Sequence, residues 1–231
     1  MAMRCSCPAL LLALSACAPT PPRQIDVGEH YGERTPLLDV ATVIQDGWME
    51  FPLRGTTEYR ITTVDERVVI QATGRNAASG LIRLVQIDTV RCPIVSWSWR
   101  VDALQKDADL RIKDKEDVAA SIFLLFGDPG FLADPEPVPT LRYVWTNNKF
   151  PIEAVIDNPY LPGVVRSVVV RSGEEHLEQW MMERRDVIDD FEIAFGQPPP
   201  DAIHAIVLFT DNDQTRQPVE AYYEWIQAIC R

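Results

Sequence analysis

From Trp48 onward, apolar residues either alternate with polar ones or run in short blocks, and almost none of these blocks has a helical period. They read EYRITTV, RVVIQATG, GLIRLVQID, IVSWSWRV, VAASIFLLFG, TLRYVWT, VVRSVVVRSG, IHAIVLFTD and VEAYYEWIQAI. β-Branched and aromatic residues fill the blocks, and Gly, Pro, Asn and Asp clusters separate them. That combination is the signature of a β-sandwich or barrel. The fold expected is all-β, a β-sandwich of jelly-roll type. One stretch departs from the pattern: in RDVIDDFEIAFGQPPP, Val187, Ile188, Phe191, Ala194 and Phe195 recur at helical spacing. Asp186 can cap the start, and Gly196 followed by prolines can end it, so one short helix is expected near 187–195. Asp189 and Asp190 then read as first-turn acids favoured by the helix dipole.

The N-terminus has a different organisation. Residues 1–16 carry one positive charge, Arg4, and an apolar stretch from Pro8 to Leu14 that is too short to span a bilayer, which is the build of a signal peptide. Leu14-Ser15-Ala16-Cys17 resembles a bacterial lipobox, whose cysteine takes the lipid and becomes the new N-terminus. An ordinary secretory signal is the plainer alternative. Residues 17–37, with four prolines and little apolar content, read as a tether, leaving 38–231 as one β-sandwich domain. The expected address is the cell envelope, facing the periplasm, with the protein held at a membrane through its N-terminal lipid. Ala18, where an acidic residue would favour retention at the inner membrane, points to the outer one.

Charge and cysteines narrow the partners. The formal net charge is −12, and it becomes −13 when Arg4 leaves with the signal. Such acidity excludes nucleic acid as a partner and disfavours anionic lipid or polysaccharide without a bridging cation. Cys5 and Cys7 leave with the signal and Cys17 is spent on lipid, so Cys92 and Cys230 remain. An even pair in an oxidising compartment reads as a disulfide, with two separately buried thiols as the alternative. A bridge closing so long a loop contributes about 4 to 5 kcal/mol in the chain-entropy model.

Taken in order, VSWSWRV, KEDVAASIFLLFG, RYVWT, VVVRSG and RDVIDDFEIAFGQPPPDAIHAIVLFTDNDQT…AYYEWI resemble the DUF3047 family, a bacterial domain family of unknown function. The resemblance spans roughly Val40 to Ile226 and implies a single all-β domain rather than any activity. It carries the family's W-x-W-R onto Trp97, Trp99 and Arg100, its paired acids onto Glu116 and Asp117, and its D-x-D-x-T onto Asp211, Asp213 and Thr215. Two positions depart from the family pattern: Glu116 replaces the first aspartate, and Ser121 stands where an arginine is expected.

Several groups are candidates for chemistry. Trp97 and Trp99 face the same side of a strand and suit either a sugar platform or a buried core pair. Arg100 points the other way and could meet Asp117 or Glu116. In TDNDQT, Asp211 and Asp213 project to one side, about 7 Å apart in an extended chain. An EF-hand is excluded, because Arg216 and Tyr222 stand where Gly and Glu are required. A polar turn, a Ca2+ site completed by backbone carbonyls or a third acid such as Glu220, and a catalytic pair remain open. Two long loops, Gly127–Pro139 and Asn147–Gly163, carry Phe131, Phe150 and Tyr160, which either bind ligand or pin their loops.

No G-x-S-x-G, H-E-x-x-H or phosphate-binding glycine loop occurs, and the only histidines are His30, His176 and His204. A glycosidase needs only two carboxylates at a set separation; the candidates are Asp117, Glu183, Asp211 and Asp213. The function expected is non-catalytic binding of a glycan or another envelope component, with Trp145, Asn147 and Asn148 as the ligand cluster. A polysaccharide-acting enzyme and a purely structural envelope protein are the alternatives.

Overall fold

The alternating blocks pair into two sheets packed face to face. A computed structural model describes residues 32–231, apart from 44, 129, 131–136 and 201. Residues 1–31 lie outside it, and with them the expected signal, the expected lipidation at Cys17 and most of the tether; Phe131 also lies outside. In chain order the strands are β1 (Glu33–Asp39), β2 (Met49–Arg54), β3 (Glu58–Val64), β4 (Arg67–Thr73), β5 (Ala78–Asp88), β6 (Ile94–Ala103), β7 (Ala120–Leu125), β8 (Thr140–Thr146), β9 (Val155–Asp157), β10 (Val165–Ser172), β11 (Met181–Asp186), β12 (Ala202–Asp211) and β13 (Glu220–Cys230). One helix, α1 (Val187–Phe195), lies between β11 and β12.

The seven-stranded sheet runs β2-β5-β12-β7-β8-β10-β9. The six-stranded sheet runs β11-β6-β13-β4-β3, with β1 on the C-terminal part of β13. Successive strands repeatedly change sheet, as from β4 to β5, β6 and β7 and from β11 to β12 and β13, which is the jelly-roll manner of building a sandwich. Pairing is antiparallel except between β10 and β8, which run parallel. That exception needs a long return, and Asn147–Val164, containing β9, provides it.

Alternation fixes what lies between the sheets. Trp97 and Trp99 from β6 meet Tyr143 and Trp145 from β8, with ring centroids 5.0 Å apart for Trp97–Tyr143 and 6.0 Å for Trp99–Trp145. All four rings are buried, so of the two readings of the tryptophan pair the core pair is the one realised. Burying rings of this size contributes several kcal/mol at the centre of the sandwich.

The two ends of the sandwich are closed differently. At one end sits α1, capped by the Asp186 carboxylate, which accepts from the backbone N–H groups of Ile188 and Asp189, and stopped by Gly196 in the left-handed region at φ 71°. Phe191 packs on Phe126 beneath it. Asp190 does more than complement the helix dipole: it is buried, accepts from the Tyr143 hydroxyl at 2.8 Å, and pairs with Arg185 at 2.6 Å. The Cys92–Cys230 disulfide lies at this same end, joining the β5–β6 turn to the last strand. The opposite end is closed by the segment between β6 and β7 and by the turn between β12 and β13.

One boundary shifts. The tether expected over 17–37 overlaps β1, which begins at Glu33 and buries Leu37 and Leu38. Its first residues are exposed and polar because only one edge of the strand is paired, so they carry no apolar alternation to betray it.

Candidate functional site

The outer face of the seven-stranded sheet is not left to solvent as a polar surface. Inward-pointing Ile122, Leu124, Leu141, Tyr143, Ile206 and Leu208 belong to the main core, so by parity Phe123, Leu125, Arg142, Val207, Phe209 and Asp211 point outward. Leu53 from β2 and Tyr160 and Leu161 from the return segment rise over them. The result is an open cleft with two joined parts. One, about 260 Å3, is walled by apolar side chains such as Phe51, Phe123, Val207 and Phe209. The other, about 390 Å3, shares Phe123 and Phe209 but ends in Glu116, Arg142, Asn158, Asp211, Asp213 and Gln214.

Those polar residues are assembled by the two acid motifs clasping each other. After the short 3-10 turn Lys113–Lys115, the chain places Glu116 and Asp117 just before β7. Asp211, the last residue of β12, accepts from the Val118 N–H at 2.8 Å. In return Asp117 accepts from the N–H of Gln214 at 3.2 Å, the N–H of Thr215 at 2.6 Å and the Thr215 hydroxyl at 2.5 Å. TDNDQT is therefore a polar turn, and it is also the place where three carboxylates gather: one oxygen each from Asp117, Asp211 and Asp213 lies within 4.8 Å of the others. Glu220 is not the third acid. Its carboxylate sits on the other sheet, where it accepts from Gln71 and from the Tyr222 hydroxyl.

A buried cation holds this end together. Arg142, on the outer face of β8, is 1 % exposed, pairs with Glu116, reaches Asp211 at 4.0 Å and lies over the Phe123 ring at 5.0 Å. Arg54, from β2, pairs with Asp213 at 3.1 Å while staying largely exposed. Burial pushes the Glu116 carboxyl up, against the pull of Arg142. It drives Asp211 well above the usual carboxylate range, with Glu116 and Asp117 adding to the shift. Asp213 is raised by burial and by the charge on Asp117, with Arg54 opposing. Three atoms facing this end have no hydrogen-bond partner among the described residues: Arg142 Nε, Asp213 Oδ1 and Gln214 Oε1.

The structure separates the other expected candidates from the cleft. Trp145 is not a solvent-facing platform: it is 1 % exposed in the core, and its indole N–H donates to the Gly173 carbonyl. Asn147 is buried as well and spends its amide on the carbonyls of Gln105 and Ala108, closing the β6–β7 segment; only Asn148 is exposed. Glu183 lies in β11, where Arg171 donates to it at 2.6 Å and Trp99 Nε1 at 3.2 Å, so it clasps the two sheets instead of joining the other three acids. Arg100 meets neither Asp117 nor Glu116; its partners are Asp102 and Asp65. Phe150 is buried under Arg111, whereas Tyr160 reaches the cleft, its hydroxyl donating to the Lys113 carbonyl at 2.7 Å. His176 lies in the β10–β11 turn, and His204 is half-buried toward the helix end of β12.

Arg142 is the residue that sequence reasoning passed over. The family pattern put an arginine at position 121. Here Phe123 of β7 pairs with Arg142 of β8, so the neighbouring strand brings the guanidinium to the acids. A single charge inside the otherwise apolar TLRYVWT was the available signal.

Among solved structures, the fold is similar to endoglucanase Cel12A from Rhodothermus marinus, at 11 % identity over 86 % of this chain and 97 % of that one, with a TM-score of 0.47. It is also similar to the endo-1,4-β-glucanase CelB2, at 12 % identity over 78 % and 90 % of the two chains, TM-score 0.42. A third similar structure is the family 11 xylanase from Neocallimastix patriciarum, at 9 % identity over 88 % and 94 %, TM-score 0.35. No curated protein sequence matches the chain. A family model described as "Protein of unknown function (DUF3047)" matches residues 46–227. With the greater part of its length so matched, the chain belongs to the DUF3047 family.

Proposed function

We propose that this protein is a binding protein of the cell envelope that takes a neutral glycan in the cleft on the outer face of its seven-stranded sheet. The observation that carries the reading is the pairing of aromatic and polar side chains in one cavity. Phe123, Phe209 and Tyr160 line the same cavity as Asp213, Gln214 and Arg142. A sugar ring is amphipathic in the matching way, offering C–H faces for rings and hydroxyls for acids and amides. The cavity lies within the usual size range of small-molecule sites. A formal net charge of −12 favours an uncharged ligand. The lipobox-like LSAC ending at Cys17 supports an envelope address, with the domain tethered to a membrane through lipid.

The test is retention on immobilised neutral polysaccharides, followed by calorimetry with glucose, xylose and N-acetylglucosamine oligomers. Tyr160→Ala and Gln214→Ala should each weaken binding by about tenfold, or about 1.4 kcal/mol, with stability changed by less than about 1 kcal/mol. Absence of binding to all three oligomer series would refute the reading.

A second reading, hydrolysis of the bound glycan, is favoured by one specific feature: the Asp213 and Glu116 carboxyls, both raised by burial, line the same cavity. A raised carboxyl beside a substrate-sized cleft is suited to proton donation. A reducing-end assay that yields product, lost in a folded Asp213→Asn variant, would establish this reading over the first.

A further inference from the structure

We infer that Asp117, Asp211 and Asp213 bind a hard divalent cation of the Ca2+ class at the acidic end of the cleft. The inference stands apart from the glycan reading, since it needs only the cation. One oxygen from each of the three carboxylates lies within 4.8 Å of the others, and all three residues are buried. An ion at the centre of three oxygens that far apart lies at most about 2.8 Å from each, so shifts of a few tenths of an ångström bring all three to Ca–O bonding distance of about 2.3 to 2.6 Å.

Proximity of acids alone would not carry this. A second observation is that Asp213, 5 % exposed, has Oδ1 without a hydrogen-bond partner among the described residues. Gln214 Oε1, next along the turn, is in the same condition and offers a neutral oxygen. A buried acceptor left unmatched costs about 1 to 3 kcal/mol, more when charged, and a cation removes that cost directly. The charge balance agrees. With all four acids ionised, the state a cation would bind, Glu116, Asp117, Asp211 and Asp213 carry four negative charges against two positive ones on Arg142 and Arg54, and the excess equals the charge of one divalent ion. The donor set is oxygen only, which selects Ca2+, Mg2+ or Mn2+ over Zn2+ or Cu2+. The local architecture also holds two of the carboxylates still. Asp117 is fixed by Gln214 and Thr215, and Asp211 by Val118, so little ordering remains for the ion to impose. Asp213 is retained by Arg54, whose side chain is 68 % exposed and whose pair is therefore weak.

Thermal unfolding of the full-length protein after EDTA treatment, with and without 5 mM Ca2+, Mg2+ or Mn2+ (roughly the concentration that saturates weak extracellular sites), tests the site. Addition of Ca2+ should raise the midpoint by roughly 5 °C or more. Asp213→Asn should abolish the rise while its cation-free midpoint equals or exceeds that of the wild type, because one excess negative charge is gone. A merely structural aspartate would give the opposite, a lower midpoint with the response to Ca2+ intact. Arg54→Ala, at a largely exposed position, should tighten Ca2+ binding by about threefold or more, since it removes the competing cation. Tb3+ luminescence displaced by Ca2+ measures affinity directly, and serves if Asp213→Asn fails to fold. No response to any of the three ions, an undiminished response in Asp213→Asn, or unchanged affinity in Arg54→Ala would each overturn the inference.

Discussion

Replacing Arg142 with methionine tests whether the acidic end of the cleft is held by one guanidinium. The methionine keeps most of the aliphatic stem, so little cavity forms and the loss is chiefly electrostatic. Arg142 is 1 % exposed and Glu116 6 % exposed, so removing the cation strands a buried carboxylate, at a cost of about 3 to 5 kcal/mol. Loss of the contact with the Phe123 ring, 5.0 Å from the guanidinium carbon, adds about 1 kcal/mol. The sum, about 4 to 6 kcal/mol, would lower a urea midpoint by roughly 2 to 3 M at a slope of about 2 kcal/mol/M. Glu116→Gln should cost less, because Arg142 retains Asp211 at 4.0 Å and an amide oxygen still accepts. In a double-mutant cycle the pair should therefore show a coupling of about 2 to 3 kcal/mol. An Arg142→Met loss below about 1 kcal/mol, or additivity of the two changes within about 0.5 kcal/mol, would refute the reasoning.

Three further substitutions follow from the packing. Trp145→Ala should destabilise by about 3 to 5 kcal/mol in denaturant melts, because it empties a core position rather than a surface one. Reducing the Cys92–Cys230 bridge, or replacing both cysteines by alanine, opens a loop of sequence separation 138 and should cost up to about 5 kcal/mol, read as a lower unfolding midpoint in reductant. Asp190→Ala leaves the Tyr143 hydroxyl without its acceptor and halves the pairing of Arg185, so a loss of about 3 kcal/mol is expected in denaturant melts.

What could be read from the sequence follows a physical division. Strands buried on at least one face announced themselves, because water imposes period two on them, and α1 did so through its cap, its period and Gly196. Strands β1, β2, β9 and β11 did not. MEFPLR of β2 and MMERRD of β11 are edge segments with much of their surface in water, so hydrophobicity says little about them. The three aspartates of the cleft were found as two separate motifs, and only the clasp of Thr215 on Asp117 shows that they are one place. Trp145 was the opposite error. In TLRYVWT, Arg142 and Trp145 lie on opposite faces, so a tryptophan in the core and an arginine in the cleft are two statements of one parity. Both faces are buried, and periodicity alone could not say which was which.

The disulfide end also gives the molecule a direction. The described chain starts beside its last strand, with the Gly32 N–H donating to the Cys230 carbonyl, and β13 runs from there back to Glu220 near the acidic turn. Eleven residues of strand span about 34 Å. Whatever lies before Gly32 therefore joins the domain at the pole opposite Asp117, Asp211 and Asp213. A lipid on Cys17 would grip the protein by that pole, and the fifteen residues from Cys17 to Tyr31 reach at most about 50 Å. The acidic mouth would then lie one strand length, roughly 34 Å, beyond the point where that anchor joins the domain.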